Sequence, residues 1–344
     1  MWRADLMKRC LLPAILLAWC MVPAFSDATD PHALRIGLIA GDDPWSLALM
    51  AGAQEAAANI RRQGGIHGRP LNLVSLPASR PWRDGAAPIA HLAATPDTVA
   101  LLSGGDGATA HMTAQVAARL RIPLLTASPE TSLTQAGAVW IFRTVADDRR
   151  QAAALLSRVP GGPAGRRASL VVPGGREGRE RQAALADACR DAHVEIAQVM
   201  TVDGNMPPPP AHDDLLLLWL DAEPARDLIL AWGKKLPAAL ILGSTRLHHA
   251  AFMDVMNSTT PGEPVFILAD TSDDWARRLG RDMVNLLAAV MSSHGTQPAA
   301  LRAGLATMAP FTGETGMMTF DGHGNLRFED PILPLPQKDE DTHE

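Results

Sequence analysis

The sequence predicts an α/β fold in which parallel sheets are covered by helices on both faces. Short apolar runs alternate with alanine-rich segments along most of the chain, which is typical of strands that alternate with helices. These runs are apolar at consecutive positions, as expected for strands that are buried on both faces. The chain has 344 residues, more than one hydrophobic core usually serves, so two domains or lobes are expected.

Nine strands and six helices are predicted from these patterns. The predicted strands are 34–40, 70–76, 99–103, 122–126, 168–172, 194–200, 215–219, 239–242 and 265–268. The predicted helices are 47–63, 109–120, 149–158, 178–192, 222–234 and 272–291. Helical periodicity is clear in the first of these, where apolar residues such as Leu49 and Ile60 share one face.

The first residues predict an export signal. Three basic residues precede an apolar run at 11–22, and Ala24 and Ser26 supply the small residues of a cleavage site. We therefore expect residues 1–26 to be a signal peptide. The mature chain is then expected in the periplasm and is not expected to span a membrane, because no later apolar run is long enough.

Cysteine content and charge exclude several classes of function. Cys20 would allow lipidation, but Trp19 is too bulky for the residue that precedes a lipidated cysteine. After cleavage only Cys189 remains, so an intrachain disulfide is not expected. The net charge of -6 argues against nucleic-acid binding, and no segment has the spacing of a P-loop. Neither a cofactor nor a metal ion is expected.

Four segments carry a resemblance to a known family. Residues 59–71 read NIRRQGGIHGRPL, 122–128 read IPLLTAS, 311–316 read FTGETG and 319–325 read TFDGHGN. In this order and spacing they resemble the branched-chain amino acid (Leu/Ile/Val) binding proteins, which have the type I periplasmic binding fold. The resemblance covers nearly the whole mature chain.

This resemblance implies a particular domain organisation. It implies two doubly wound, Rossmann-like lobes with parallel sheets, which are joined by three hinge crossings and close on a ligand. Lobe one is expected to comprise 34–145 plus 268–310, and lobe two 146–267 plus 311–335. Residues 336–344 are polar and are expected to form a frayed tail.

The resemblance also implies ligand contacts from the first lobe. In the family, a hydroxyl after the third strand helps to bind the ligand's carboxylate, and main chain plus a hydroxyl at the end of the next strand hold the ligand. Ser103, Asp106, Ala127 and Ser128 lie in these two regions, and Trp45 follows the first strand. An anion at Asp106 would repel a carboxylate, so the alternative is that it caps the following helix. Ser128 is the best candidate for a polar contact, and a turn cap is its alternative.

The second lobe departs from the family pattern. Trp219 matches the family's aromatic residue, or else it fills the core as buried tryptophans commonly do. Where the family has an acidic residue for the ligand's ammonium, this chain has Thr245 and Arg246. Arg246 would suit an anion, or else it is a solvated surface residue. Because the amino-acid clamp is not reproduced, a standard α-amino acid is not the expected ligand.

The function that follows is the periplasmic solute-binding component of an ABC-type importer. The protein is expected to be a monomer that binds a small molecule between its lobes and delivers it to a membrane permease. The alternative is an accessory or sensory protein of the same fold that binds a protein partner, such as a dehydrogenase or a receptor. An enzyme ranks third, and no catalytic residues are predicted because nothing fixes the geometry of a catalytic triad.

Overall fold

The computed structural model describes residues 32–78, 85–135, 137, 139–210, 214–235, 239–247, 250–259, 265–267 and 273–327. These residues belong to one compact unit. The predicted signal peptide, the predicted tail and residues 268–272, which would form one of the crossings, lie outside the described residues. The number of crossings therefore stays a prediction.

The first sheet has five parallel strands in the order β2-β1-β3-β4-β5. The strands are β1 (Leu34–Ala40), β2 (Leu71–Pro77), β3 (Thr98–Ser103), β4 (Leu124–Thr126) and β5 (Ile141–Arg143). The helices between them are α1 (Pro44–Arg62), α2 (Ala86–Ala94) and α3 (Gly107–Leu120), and a short 3-10 helix spans Thr131–Leu133. This strand order is that of a doubly wound sheet.

The second sheet repeats this topology. Its parallel strands run in the order β10-β9-β8-β6-β7, which is the order of the first sheet read from the other edge. The strands are β6 (Arg167–Pro173), β7 (Glu195–Val202), β8 (Leu215–Leu218), β9 (Leu240–Gly243) and β10 (Val265–Ile267). The helices are α4 (Asp148–Ser157), α5 (Gly175–Asp191), α6 (Ala222–Trp232) and α7 (Ala250–Thr259), with 3-10 turns at Gly233–Lys235 and Thr245–Leu247.

Both faces of each sheet are buried by helices. In the first sheet, Leu38 packs towards α1, whereas its neighbour Ile39 packs towards α2 and α3. In the second sheet, Leu217 packs with α4 and α5 while Leu218 packs with α6 and α7. The prediction of an α/β fold with two doubly wound lobes is confirmed, and the physical reason is this burial on both sides.

The chain returns to the first sheet after β10. The long helix α8 (Asp273–His294) crosses α1 where both helices have glycine, at Gly52 and Gly280. A Cβ on Gly52 would lie 1.8 Å from the carbonyl oxygen of Arg277, so only glycine permits this approach. The next helix, α9 (Pro298–Thr307), packs beside α8. We call the first sheet with α1, α2, α3, α8 and α9 the first lobe, and the second sheet with α4 to α7 the second lobe.

The C-terminal segment packs differently from the sequence-based expectation. The hairpin of β11 (Phe311–Gly313) and β12 (Gly316–Met318) is followed by Phe320 and Leu326, which are buried in the core of the first lobe. The sequence-based expectation places 311–335 in the second lobe. The difference arises because Phe320 packs edge-on against Phe142 of β5, a contact that no local pattern indicates. The other lobe boundaries stay a prediction.

Within the ranges that the structure describes, no helix has both the length and the apolar character needed to cross a membrane. Among the same residues, no three side chains of His, Cys, Asp or Glu form a group suited to a metal ion. The thiol of Cys189 is buried, and this burial raises its pKa to about 11.

Candidate functional site

Each sheet has a switch point, where helices from adjacent strands leave towards opposite faces and open a crevice at the carboxyl ends. In the first lobe it lies between β1 and β3, which lead to α1 and α3 on opposite faces. In the second lobe it lies between β6 and β8, which lead to α5 and α6. Ligands of open α/β sheets bind at such crevices, so the candidate site comprises these two loop pairs.

The first switch point is lined by glycine backbone and one indole. Trp45, in the first turn of α1, is half-buried. Its ring lies beside Gly105, where an added Cβ would be 3.5 Å from the indole and 3.9 Å from the carbonyl oxygen of Ala127. The sequence-predicted residues Trp45 and Ala127 are therefore brought together on either side of Gly105.

The hydroxyl groups predicted to meet a ligand are buried and bonded within the first lobe. Ser103 donates its hydroxyl to Thr126 Oγ1 at 2.8 Å, and the Ala127 N–H donates to the Ser103 carbonyl at 3.0 Å. The Ser128 hydroxyl accepts from the Glu130 N–H at 3.5 Å. The two bonds of Ser103 tie the ends of β3 and β4 together. The bond of Ser128 is local to the turn after β4, which is the capping role that was its alternative.

Asp106 caps the helix that follows it. Its carboxylate accepts a hydrogen bond from the Thr109 N–H at 2.7 Å, and its backbone is extended, as in N-cap residues. Asp106 therefore has the capping role that was its alternative, and its carboxylate is held at the start of α3.

The second switch point carries a buried carboxylate, which organises what we call the Asp148 cluster (Asp148, Trp219 and Arg246). Asp148, in the first turn of α4, is 2% exposed. It accepts from Trp219 Nε1 at 2.9 Å and from Arg246 Nη1 at 2.8 Å. Burial lowers the pKa of Arg246, but the charges of Asp148 and Asp221 outweigh it and raise that pKa above its usual range.

These contacts locate the remaining predicted residues. The indole of Trp219 is fully buried in the core of the second lobe, where it belongs to the same cluster as apolar residues of α4 and α5. Thr245 donates both its N–H and its hydroxyl to Gln151 Oε1, each at 3.2 Å. In this structure Trp219 fills the core, which was its alternative interpretation, and Thr245 fastens the loop after β9 to α4.

One group of charged residues links the two lobes. We call it the Glu130 cluster (His111, Glu130, Ser132 and Arg176). Glu130 follows β4 in the first lobe, and its carboxylate accepts from Arg176 Nη1 and Nη2 of the second lobe at 2.5 and 2.9 Å. His111 Nε2 lies 2.9 Å from the same carboxylate, and the Ser132 hydroxyl donates to it at 3.2 Å. A two-pronged contact of this kind is among the stronger ion pairs in proteins.

The environment of Glu130 favours its ionised form. Its side chain is 5% exposed. Burial by itself raises the pKa of the Glu130 carboxyl, but the hydrogen bonds and charges of His111 and Arg176 more than offset it and lower the pKa to about 2. Arg143, fully buried, donates to the Glu130 carbonyl at 2.8 Å and fixes the loop that presents the carboxylate.

Glu130 and Arg176 are not among the residues predicted from the sequence. A signal existed, because both follow strands of a parallel sheet, Glu130 after β4 and Arg176 after β6. No sequence pattern indicates that the two residues pair, because 46 positions separate them and they follow strands of different sheets.

Comparison with known proteins agrees with this architecture. The family model for periplasmic binding proteins matches residues 37–213, just over half of the chain. The fold is similar to the LivJ branched-chain amino acid transporter substrate-binding protein of Streptococcus pneumoniae, solved with isoleucine. That match has a TM-score of 0.69 and 17% identity, and it covers 86% of this chain and 93% of that one.

Two further solved structures are similar. The leucine-binding protein LivK of Thermotoga maritima has a TM-score of 0.66 and 15% identity, over 86% of this chain and 93% of that one. A solute-binding protein of an ABC transporter from R. palustris, solved with benzoate, has a TM-score of 0.66 and 17% identity. This match covers 86% of this chain and 91% of that one. No curated protein matches in sequence.

Proposed function

Because the chain belongs to the family of periplasmic binding proteins, we propose that it binds a small molecule in the cleft between its two lobes. We propose further that it acts in the periplasm as the solute-binding component of an ABC-type importer and delivers its ligand to a membrane permease. Neither step involves a catalysed reaction.

The observation that carries this proposal is the position of the two switch points. Arg176, in the first turn of α5 after β6, reaches Glu130, which follows β4, so the carboxyl ends of the two sheets face the same cleft. A crevice bounded by two such ends, with backbone and an aromatic ring on one side, is where small ligands bind in α/β proteins.

Within the cleft we assign the first ligand contacts to Trp45 and to the backbone of residues 103–107. The half-buried indole can stack on a ligand, and the backbone of Gly105 beside it is partly exposed. Direct ligand contacts from Ser103, Asp106, Ala127, Ser128, Trp219, Thr245 and Arg246 stay predictions. Similar proteins bind isoleucine and benzoate. This chain has no acidic residue at 244–246 to hold an ammonium group, so the proposed ligand is not a standard α-amino acid.

A binding screen tests the proposal. The protein, purified from periplasm after expression with its own N-terminal segment, is heated with a panel of sugars, amides, alcohols, polyamines, amino acids and acids. A ligand at a hundred times its dissociation constant adds about 2.7 kcal/mol of stability, which appears as a higher melting temperature. A flat screen over the whole panel would count against ligand capture.

Matched tryptophan variants locate the site. Trp45→Ala is expected to weaken binding of the hit, whereas Trp140→Ala serves as the control. Trp140 is also half-buried in the first lobe, but it precedes β5 and lies at the opposite end of the sheet. Equal losses of affinity in both variants would show that the effect is not local to the cleft.

A second candidate function is that of an accessory or sensory protein that binds a protein partner. One observation favours it: the charged groups at the cleft edges are paired with one another, Glu130 with Arg176 and Asp148 with Arg246. Such a protein would form a complex of fixed stoichiometry with a periplasmic partner. Light scattering on the complex isolated from periplasm, together with a flat ligand screen, would support this function over transport.

A further inference from the structure

The carboxylate of Glu130 occupies a position in the cleft that is surrounded by hydrogen-bond donors. It is bound by donors from both lobes, two from Arg176 and one each from His111 and Ser132. These partners satisfy the hydrogen-bonding capacity of the buried Glu130 carboxylate as fully as they would satisfy that of a ligand's carboxylate. The cleft therefore contains an anion-binding position that is filled by the chain itself.

The first residue of α3 is shaped around this carboxylate. A Cβ on Gly107 would lie only 1.8 Å from Glu130 Oε2, so a side chain at this position would collide with the carboxylate. Gly107 does not have a positive φ, so its backbone conformation does not require glycine. The absence of a side chain at Gly107 is explained by the space that Glu130 occupies.

The other guanidinium groups beside the second switch point are also paired. Arg181 contacts the carboxylates of Glu177 and Asp221, and Arg246 contacts those of Asp148 and Asp221. An acidic ligand would have to break one of these pairs or place its charge beside a carboxylate, and either event opposes binding. An uncharged or cationic ligand meets neither obstacle.

From these contacts we infer that Glu130 fills the anion-binding position of the cleft and thereby excludes ligands that carry an acidic group. Resting on the proposed function, this assigns the ligand to uncharged or cationic small molecules and makes Glu130 and Arg176 residues that determine specificity. Removing the Glu130 side chain should free Arg176 and convert the cleft into a site for small carboxylates.

The experiment uses benzoate and acetate as probes and measures their binding by calorimetry. The Glu130→Ala variant is expected to bind benzoate about tenfold or more tightly than the wild type does. Asp191→Ala is the matched control, because it also frees an arginine, Arg149, from a carboxylate, but on the exposed surface of the second lobe. The control is expected to bind benzoate no better than the wild type, and Arg176→Gln added to Glu130→Ala should abolish the gain.

Two outcomes would overturn the inference: equal benzoate affinity in the wild type and Glu130→Ala, or an equal gain in Asp191→Ala. If Glu130→Ala does not fold, Glu130→Ser is measured instead, because it also vacates the carboxylate position and frees Arg176 while keeping a small polar group, and the same gain for benzoate and acetate is expected. The wild type is screened in parallel with benzamide, sugars and polyamines. If no compound of the parallel screen binds the wild type but Glu130→Ala gains affinity for benzoate, only the proposed ligand capture is refuted. If a compound binds the wild type but Glu130→Ala gains no affinity for benzoate, only the inference about Glu130 is refuted.

Discussion

Two buried carboxylates, Glu130 and Asp148, have similar exposure but connect different parts of the molecule. Asp148 bonds to Trp219 and Arg246, all within the second lobe. Glu130 bonds to Arg176 across the cleft, from the first lobe to the second. The Asp148 cluster therefore stabilises one lobe, whereas the Glu130 cluster also bears on how the two lobes meet.

Burial alone therefore does not identify a functional charge. A buried ion pair adds little net stability, but removing one partner is costly because the other charge remains buried. What distinguishes Glu130 is that its main partner belongs to another lobe, so a movement of the lobes can break the pair without unfolding either one. Substitutions at the two carboxylates should separate these roles.

The largest effect is expected at Asp148. Asp148→Ala leaves the Trp219 indole N–H and the Arg246 guanidinium without their buried acceptor. A loss of about 3–5 kcal/mol in the free energy of unfolding is expected, measured by urea denaturation. Asp106→Ala is the control, because it removes only a helix cap and should cost about 1 kcal/mol. Similar losses in both variants would contradict the central role of Asp148.

A smaller, pH-dependent effect is expected at Glu130. Its folded-state pKa of about 2 lies below the ordinary value of 4.5, so the ionised form stabilises the fold. This contribution is fully present above about pH 4.5 and is lost as the pH falls towards about 2. Glu130→Gln should therefore lower the free energy of unfolding by about 2–3 kcal/mol near neutral pH. The difference from the wild type should shrink in acid, and a difference independent of pH would refute this cause.

Gly107→Ala should act through the same carboxylate. The added methyl group would force the Glu130 carboxylate away from Arg176 and His111, although alanine itself favours the helix. A net loss of about 1 kcal/mol is expected, together with a weaker dependence of stability on pH than in the wild type. In a Glu130→Ala background the same substitution should no longer destabilise. Destabilisation in both backgrounds would mean that the methyl group collides with something else.

The smallest effect is expected at an exposed pair outside the cleft. Arg281 contacts Glu55 and Glu314 on the surface of the first lobe, where water and salt screen the charges. Arg281→Gln should change the free energy of unfolding by less than about 1 kcal/mol. It should also leave benzoate binding unchanged in the Glu130→Ala variant. A larger loss in urea denaturation would show that this network contributes more than an ordinary surface pair.

The sequence predicted the repetitive parts of the fold well. All nine predicted strands match strands of the two sheets within a few residues. The missed elements include β5, α2, α7 and α9, because their short or alanine-rich segments carry weak periodicity. Residues 311–335 are predicted in the second lobe, whereas Phe320 and Leu326 pack in the first.

The candidate site was predicted less completely. The resemblance selected loops at the carboxyl ends of the strands, where Trp45 and Ala127 lie close to Gly105, and their contact with a ligand stays a prediction. It did not select Glu130 or Arg176, and it matched Trp219 to the family's aromatic residue, whereas the Trp219 indole is fully buried. Side-chain burial at a strand end depends on the helices that pack over it, which the strand's own sequence does not specify.

The sequence by itself determined those features of the structure that depend on interactions between residues close together in the chain. The cap at Asp106 acts over three positions, and the alternation of strands and helices is set by local apolar patterns. Only the tertiary structure decided that Glu130 meets Arg176, that Asp148 lies beneath Trp219, and that the C-terminal hairpin returns to the first lobe. These contacts join residues far apart in the chain, and they form only once both sheets are packed and their carboxyl ends face one cleft.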